Sequence, residues 1–293
     1  MKVKQSQIKI PVASDNSHRA FTLLELTVML MIIALGLLML VPALAESRID
    51  GQALSCRNNH RQLLRAWQMY AADFNDLLPA ADQATATASG RPNWMTGNMT
   101  LPAGNSSLLN TNTDIVRGPL WPYSARKADI YRCPADPRYV TLAGKKYHPV
   151  RTVAMSCAFG NGAWLNGVAG DAGPYRLYSK LSDVRVPPHT FVFIDEHPNS
   201  IDDGEMTVSC AGAQPGDAPT LARIIEYPAP FHNGGATLSF ADGHVEIHNW
   251  IGSLLRTPIV YDQSGLLPLP VNVSAGDSAV DIAWLAANTT VKK

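Results

Sequence analysis

From Phe21 to Ala45 the chain reads FTLLELTVMLMIIALGLLMLVPALA, 25 consecutive positions with one charge, Glu25. At about 1.5 Å per residue a helix of that length reaches roughly 37 Å, enough to cross a hydrocarbon layer about 30 Å thick. The pattern then changes. Leu44, Ile49, Leu54, Leu63, Leu64, Trp67, Met69 and Tyr70 recur among polar residues, which predicts an amphipathic continuation of the helix from Glu46 to about Ala72, ending before Asn75, Asp76 and Pro79. Gly51 weakens that helix near its middle.

Beyond it the apolar positions lose helical spacing. Residues 80–130 are rich in Gly, Pro, Asn, Ser and Thr, with Trp94 and Trp121 as isolated anchors, and read as a long surface excursion with short strands. Val184–Val186 and Thr190–Ile194 read as strands around Pro187 and Pro188, residues 211–220 as a loop, and Asp281–Leu285 as a short terminal helical turn. Asp242-Gly243 is a two-residue hairpin signal, because a type I′ turn needs positive φ at both positions. Folding about it pairs Phe240 with Val245 and Leu238 with Ile247 on one apolar face, and Ser239 with Glu246 and Thr237 with His248 on the other. The expectation is a half-buried antiparallel hairpin.

Charge adds a boundary that the apolar pattern alone leaves vague. The 24 basic and 24 acidic residues sum to zero. Residues 1–20 carry Lys2, Lys4, Lys9 and Arg19 against Asp15, a net of +3, so the remaining 20 basic and 23 acidic residues net −3. A balanced chain of this kind lacks the basic excess of a nucleic-acid binder. With 46% hydrophobic and 16% charged residues it is no charge-driven disordered chain either. Cations before the apolar run and none within it place the N-terminus in the cytoplasm. A secretory signal peptide, cut after Ala43-Leu44-Ala45, and a plain signal anchor both compete for this segment, but neither explains a carboxylate at Glu25.

The head offers donors but no catalytic motif. His232, Asp242, His244 and His248, with Asp195, Glu196 and His197, supply the groups of a metal site; Asp195, Glu196, His232 and Asp242 are the candidates. Oxygen-rich groups would suit calcium, and histidines with a carboxylate would suit zinc. A structural account competes, with Asp242 as a turn residue and His232 bonded across the hairpin start. There is no G-x-S-x-G, no H-E-x-x-H and no phosphate-cradling loop, so an enzyme is not expected. Cys56, Cys133, Cys157 and Cys210 all follow the apolar segment, on the side where disulfides persist, and four cysteines allow three connectivities.

Two groups of residues carry a resemblance. Arg19-Ala20-Phe21-Thr22-Leu23-Leu24-Glu25-Leu26 resembles a type IV prepilin processing site, with Ala20 where the family normally has Gly. His232, nine residues and then Asp242-Gly243, within FHNGGATLSFADGHVEIHNW, resembles the end region of the prepilin-type, processing-associated H-x9-D-G proteins. Cys56-Arg57-Asn58-Asn59, Cys133-Pro134-Ala135-Asp136 and Phe193-Ile194-Asp195-Glu196 agree with it. The resemblance implies cleavage by prepilin peptidase between Ala20 and Phe21, N-methylation of Phe21, and Pro42 as the helix-kinking proline. Glu25 would be the invariant carboxylate that meets a neighbouring N-terminal amine. It implies an α+β, pilin-like fold, a long membrane-spanning helix followed by an antiparallel β-rich head, divided as 1–20 leader, 21–45 membrane helix, 46–75 amphipathic helix and 76–293 head. Function follows as a pseudopilin of a type II secretion or type IV pilus-like filament, in the bacterial inner membrane with an extracytoplasmic head, partnered by other pseudopilin subunits. The same motifs favour a Cys56–Cys133 disulfide, with Cys157–Cys210 second. The rival is an exported or membrane-anchored binding domain, metal-binding or not, that forms no filament.

Overall fold

A computed structural model describes residues 22–99, 109–142, 144–214, 216–262, 265–266 and 268–293, without the side chains of 38–49, 142, 262 and 265–266. Ala20, Phe21 and the Pro42 side chain therefore lie outside the described residues. The first element, α1, is a 51-residue helix, Leu23–Asp73. Thr22 starts it. Its hydroxyl accepts the Glu25 N–H at 3.2 Å, while the Glu25 carboxylate accepts the Thr22 N–H at 2.9 Å and its hydroxyl at 2.8 Å, a reciprocal capping box. Within one chain, Glu25 thus has a local partner.

The expected membrane-spanning helix is corrected by the structure. Among the described residues, no helix is long and apolar enough to cross a membrane. The apolar stretch of α1 with described side chains covers residues 22–37, roughly 24 Å of helix against a hydrocarbon layer of about 30 Å. Met1–Arg48 and Ile49–Lys293 form two compact units, and α1 contributes residues to both.

The head is mixed rather than purely antiparallel. In chain order its strands are β1 (Val140–Leu142), β2 (Lys145–Tyr147), β3 (Val153–Ser156), β4 (Phe191–Asp195), β5 (Glu205–Met206), β6 (Arg223–Ile224), β7 (Gly235–Phe240), β8 (Val245–Asn249), β9 (Tyr261–Asp262), β10 (Gly265–Leu266) and β11 (Val273–Ser274). Five form the main sheet in the order β5-β3-β4-β7-β8, with β5 parallel to β3 and the other neighbours antiparallel. Both faces of this sheet are covered. On one, Leu63, Leu64, Trp67 and Tyr70 of α1 pack with Val153, Met155, Val192 and Phe193. On the other, Ile282, Leu285 and Ala286 of the C-terminal helix Ala279–Ala287 join Trp250, Ala154, Ile194, Leu238 and Phe240.

That double cover explains a second correction. The hairpin pairs Ser239 with Val245, Leu238 with Glu246, Thr237 with Ile247 and Ala236 with His248, one residue away from the expected register. Its loop has three residues, 241–243, closed by Phe240 N–H to His244 O at 3.0 Å and Gly243 N–H to Phe240 O at 2.9 Å, with Gly243 at φ +108°. The expected register assumed one wet face. All six residues of β7 are buried, so alternation of apolar and polar positions no longer fixes pairing, and the left-handed glycine does.

Among its described residues, the 80–130 region forms short helical elements in place of the expected short strands. It contains a seven-residue helix, Gln83–Ser89, capped by Asp82 accepting from Thr85 N–H. Trp94 is fully buried, and its indole N–H donates to Gly204 O at 2.8 Å. Val184–Val186 forms no strand, and Pro187–His189 is a single 3-10 turn leading into β4.

Candidate metal centre

Four stretches of chain deliver donors to one point under the α1 face of the sheet. Cys56 sits on α1, Cys133 just after the 3-10 turn Ala128–Tyr131, Asp195 at the end of β4, and His232 three residues before β7. One ligand atom from each, a sulfur, a sulfur, a carboxylate oxygen and an imidazole nitrogen, all lie within 4.8 Å of one another. Exposure is 0% for Cys56, Cys133 and Asp195 and 4% for His232. This buried group could hold a metal ion.

The hydrogen bonds around it are directional. The Cys56 thiol donates to Asp195 Oδ2 at 2.9 Å and accepts the Thr237 hydroxyl at 3.2 Å. Cys133 Sγ stands 3.2 Å from His232 Nε2 and accepts the Ala135 N–H at 3.4 Å. Thr152 hydroxyl donates to Asp195 Oδ1 at 2.8 Å and accepts the Cys133 N–H at 2.9 Å, tying two of the four stretches together. Burial pushes the Cys56 thiol well above its ordinary range, helped by the Cys133 and Asp195 side chains, and burial likewise raises Cys133. Burial opposes ionisation of Asp195 too, but His60 and the Cys56 bond outweigh it and hold the carboxyl low. His232 is lowered by burial, with Asp195 acting in the opposite direction.

His60 belongs to the same neighbourhood. It is 0% exposed, lies one helical turn after Cys56, and places Nε2 3.5 Å from Asp195 Oδ2, yet neither ring nitrogen makes a hydrogen bond. His60 was not among the donors expected from the sequence. Its signal was Cys56-x-x-x-His60, a spacing that puts both side chains on one helix face.

No protein-family model, curated protein or solved structure matches this chain.

Of the four metal candidates, Asp195 and His232 enter the cluster and two do not. Glu196 is fully buried with no hydrogen bond to either carboxylate oxygen, and burial, with Glu226, Asp202 and Asp203 nearby, raises it well above the ordinary range. Asp242 stays at the hairpin tip, where Oδ1 accepts the His244 N–H at 3.1 Å and meets His244 Nδ1 at 2.6 Å, so it acts as a turn residue. His197 bonds Thr257 O through Nε2 at 2.9 Å, and His248 stacks on Trp284 at 3.5 Å. All four cysteines are free thiols. Cys56 and Cys133 meet, as the resemblance implied, but as two donors of the cluster; Cys157 and Cys210 lie in the core on the other face of the sheet.

Proposed function

We propose that this chain is a non-enzymatic assembly subunit of the pilin-like kind. Prepilin peptidase cuts it between Ala20 and Phe21, and it joins other subunits through the N-terminal part of α1. The carrying observation is the surface of that helix. Eleven large apolar side chains between Leu23 and Leu37 are 48–81% exposed, with Glu25 the one charge among them. Apolar surface of that extent marks an interaction site. In an assembly the Glu25 carboxylate is positioned at the start of the helix, where the new amine of a neighbouring Phe21 can replace Thr22 as its partner. The metal-holding cluster gives the head a different task, fastening α1 to the sheet, and its two sulfurs favour zinc over calcium, which takes oxygen ligands.

Mass spectrometry of the mature N-terminus tests the assembly reading. An N-methylated chain starting at Phe21 supports it, and a chain starting at Glu46 overturns it. Glu25→Val separates processing from assembly: the cut should survive while filaments fail. Filaments unaffected by Glu25→Val would remove the role assigned to that carboxylate.

A further inference from the structure

We propose that the cluster is a closed zinc site with Cys56, Cys133, Asp195 and His232 as its four ligands, and that His60 holds Asp195 on the ion as an outer hydrogen-bond donor. This rests on the metal-holding reading of the head and not on the assembly reading of α1.

The donor set selects the metal. Two thiolates, an imidazole and a carboxylate form a tetrahedral zinc set, and calcium would need six to eight oxygens. The geometry is close to loaded. Ligands at about 2.0–2.3 Å from zinc stand roughly 3.5 Å apart in a tetrahedron. The Cys133 Sγ to His232 Nε2 and Cys56 Sγ to Asp195 Oδ2 separations are 3.2 and 2.9 Å, so these pairs open by roughly 0.3 and 0.6 Å, and the other ligand pairs lie within 4.8 Å. Binding releases two thiol protons to water and leaves each sulfur a bond acceptor. The Thr237 hydroxyl and the Ala135 N–H already donate to those sulfurs. With all four positions filled by protein and the site buried, no place remains for a substrate, so the ion is structural.

His60 completes the arrangement. An imidazole buried without a hydrogen bond carries an uncompensated desolvation cost, so its place needs a reason. Cys56 donates to Asp195 Oδ2 only while it carries its proton. Once that sulfur binds zinc, Oδ2 loses its donor, and His60 Nε2, 3.5 Å away, is placed to supply one. Oδ1 stays with the Thr152 hydroxyl. The carboxylate is then held from both sides, as the outer partners of metal ligands usually hold them. Through Cys56 and His60, one turn apart, α1 gains two points of attachment to the centre.

The test uses the full-length chain purified without added metal or chelator. Elemental analysis should find about one zinc per chain, and cobalt(II) exchanged into it should give thiolate charge-transfer bands with visible bands of tetrahedral strength. Calcium alone, no metal, or a Cys56–Cys133 disulfide in that preparation overturns the zinc site. His60→Ala should weaken zinc binding about 10–100-fold while leaving the cobalt bands in place, and His60→Gln, whose amide can donate, should recover most of the loss. Unchanged affinity in His60→Ala overturns the donor role while the zinc site stands. Altered cobalt bands would make His60 a ligand and overturn the donor role too.

Discussion

The head buries two pairs of cysteines, one on each face of the same sheet, and they could hardly differ more in company. Cys56 and Cys133 face a carboxylate, two histidines and two threonine hydroxyls. Cys157 and Cys210 sit among Ala154, Leu165, Met206 and Val208, where the Cys210 thiol donates to Ala286 O at 3.8 Å with the Gln214 side chain beside it. All four are 0% exposed, and burial raises every thiol. Residue type and burial are therefore equal, and the neighbours alone separate a donor cluster from an apolar core. A buried cysteine is a small hydrophobe until a second donor faces it.

The largest expected effect breaks the comparison directly. Cys56→Ser should lose the bound zinc and lower the unfolding midpoint of the full chain by roughly 10 °C or more, because a structural metal contributes its binding free energy to folding. Cys157→Ser should keep the zinc and cost about 1–3 kcal/mol, the penalty of a hydroxyl in an apolar site. Metal content and thermal unfolding of both variants decide it; zinc lost equally from each would erase the distinction.

A smaller effect sharpens the apolar side. Glu205, on β5, is one of the groups acting on Cys157, and burial raises its carboxyl well above the ordinary range, with Asp82, Asp203 and Glu226 adding to it. A carboxyl raised in the folded state contributes stability that is full below the ordinary carboxyl range and lost as pH climbs through the folded value. Glu205→Gln removes that loss. Its midpoint should exceed the parent's at pH 8 and approach it near pH 4.5, with zinc content unchanged. A variant that follows the parent's pH dependence would show that Glu205 does not titrate as described.

The smallest effect lies away from both cysteine pairs. Gly243 has φ +108° and open space where a Cβ would stand, its nearest neighbour being Gln68 Nε2 at 3.9 Å. Gly243→Ala should therefore cost only the backbone term, about 1–2 kcal/mol, and leave the metal in place. A larger loss in thermal unfolding would mean that an alanine cannot hold the φ this loop needs and that the pairing of β7 with β8 fails with it.

Some of this was legible in the chain, and the residues show where legibility stops. The periodicity of Leu63, Leu64, Trp67 and Tyr70 was enough to place a helix with one buried face, ending at Asp73 within a residue or so of expectation. The apolar stretch around Trp284 became a terminal helix. The hairpin pairs one residue away from the register its apolar spacing favours, because β7 is buried on both faces. Among the metal candidates, Asp195 and His232 reach the buried group that could hold an ion, whereas Glu196 and Asp242 stand apart from it. Position Glu196 adjoins Asp195, and alternation along an extended chain sends neighbours to opposite sides.

By itself the sequence determined the local features: the helix that ends at Asp73, a hairpin closed near Gly243, and the charge step at residue 20. Each depends on residues a few positions apart, whose geometry the backbone fixes. Only the tertiary structure decided that Cys56, Cys133, Asp195 and His232 share one point, because their separations along the chain span 176 residues from first to last. No spacing rule reaches that far. It took a sheet covered on both faces, with α1 laid across one of them, to bring the four donors within 4.8 Å and to leave the other two cysteines without them.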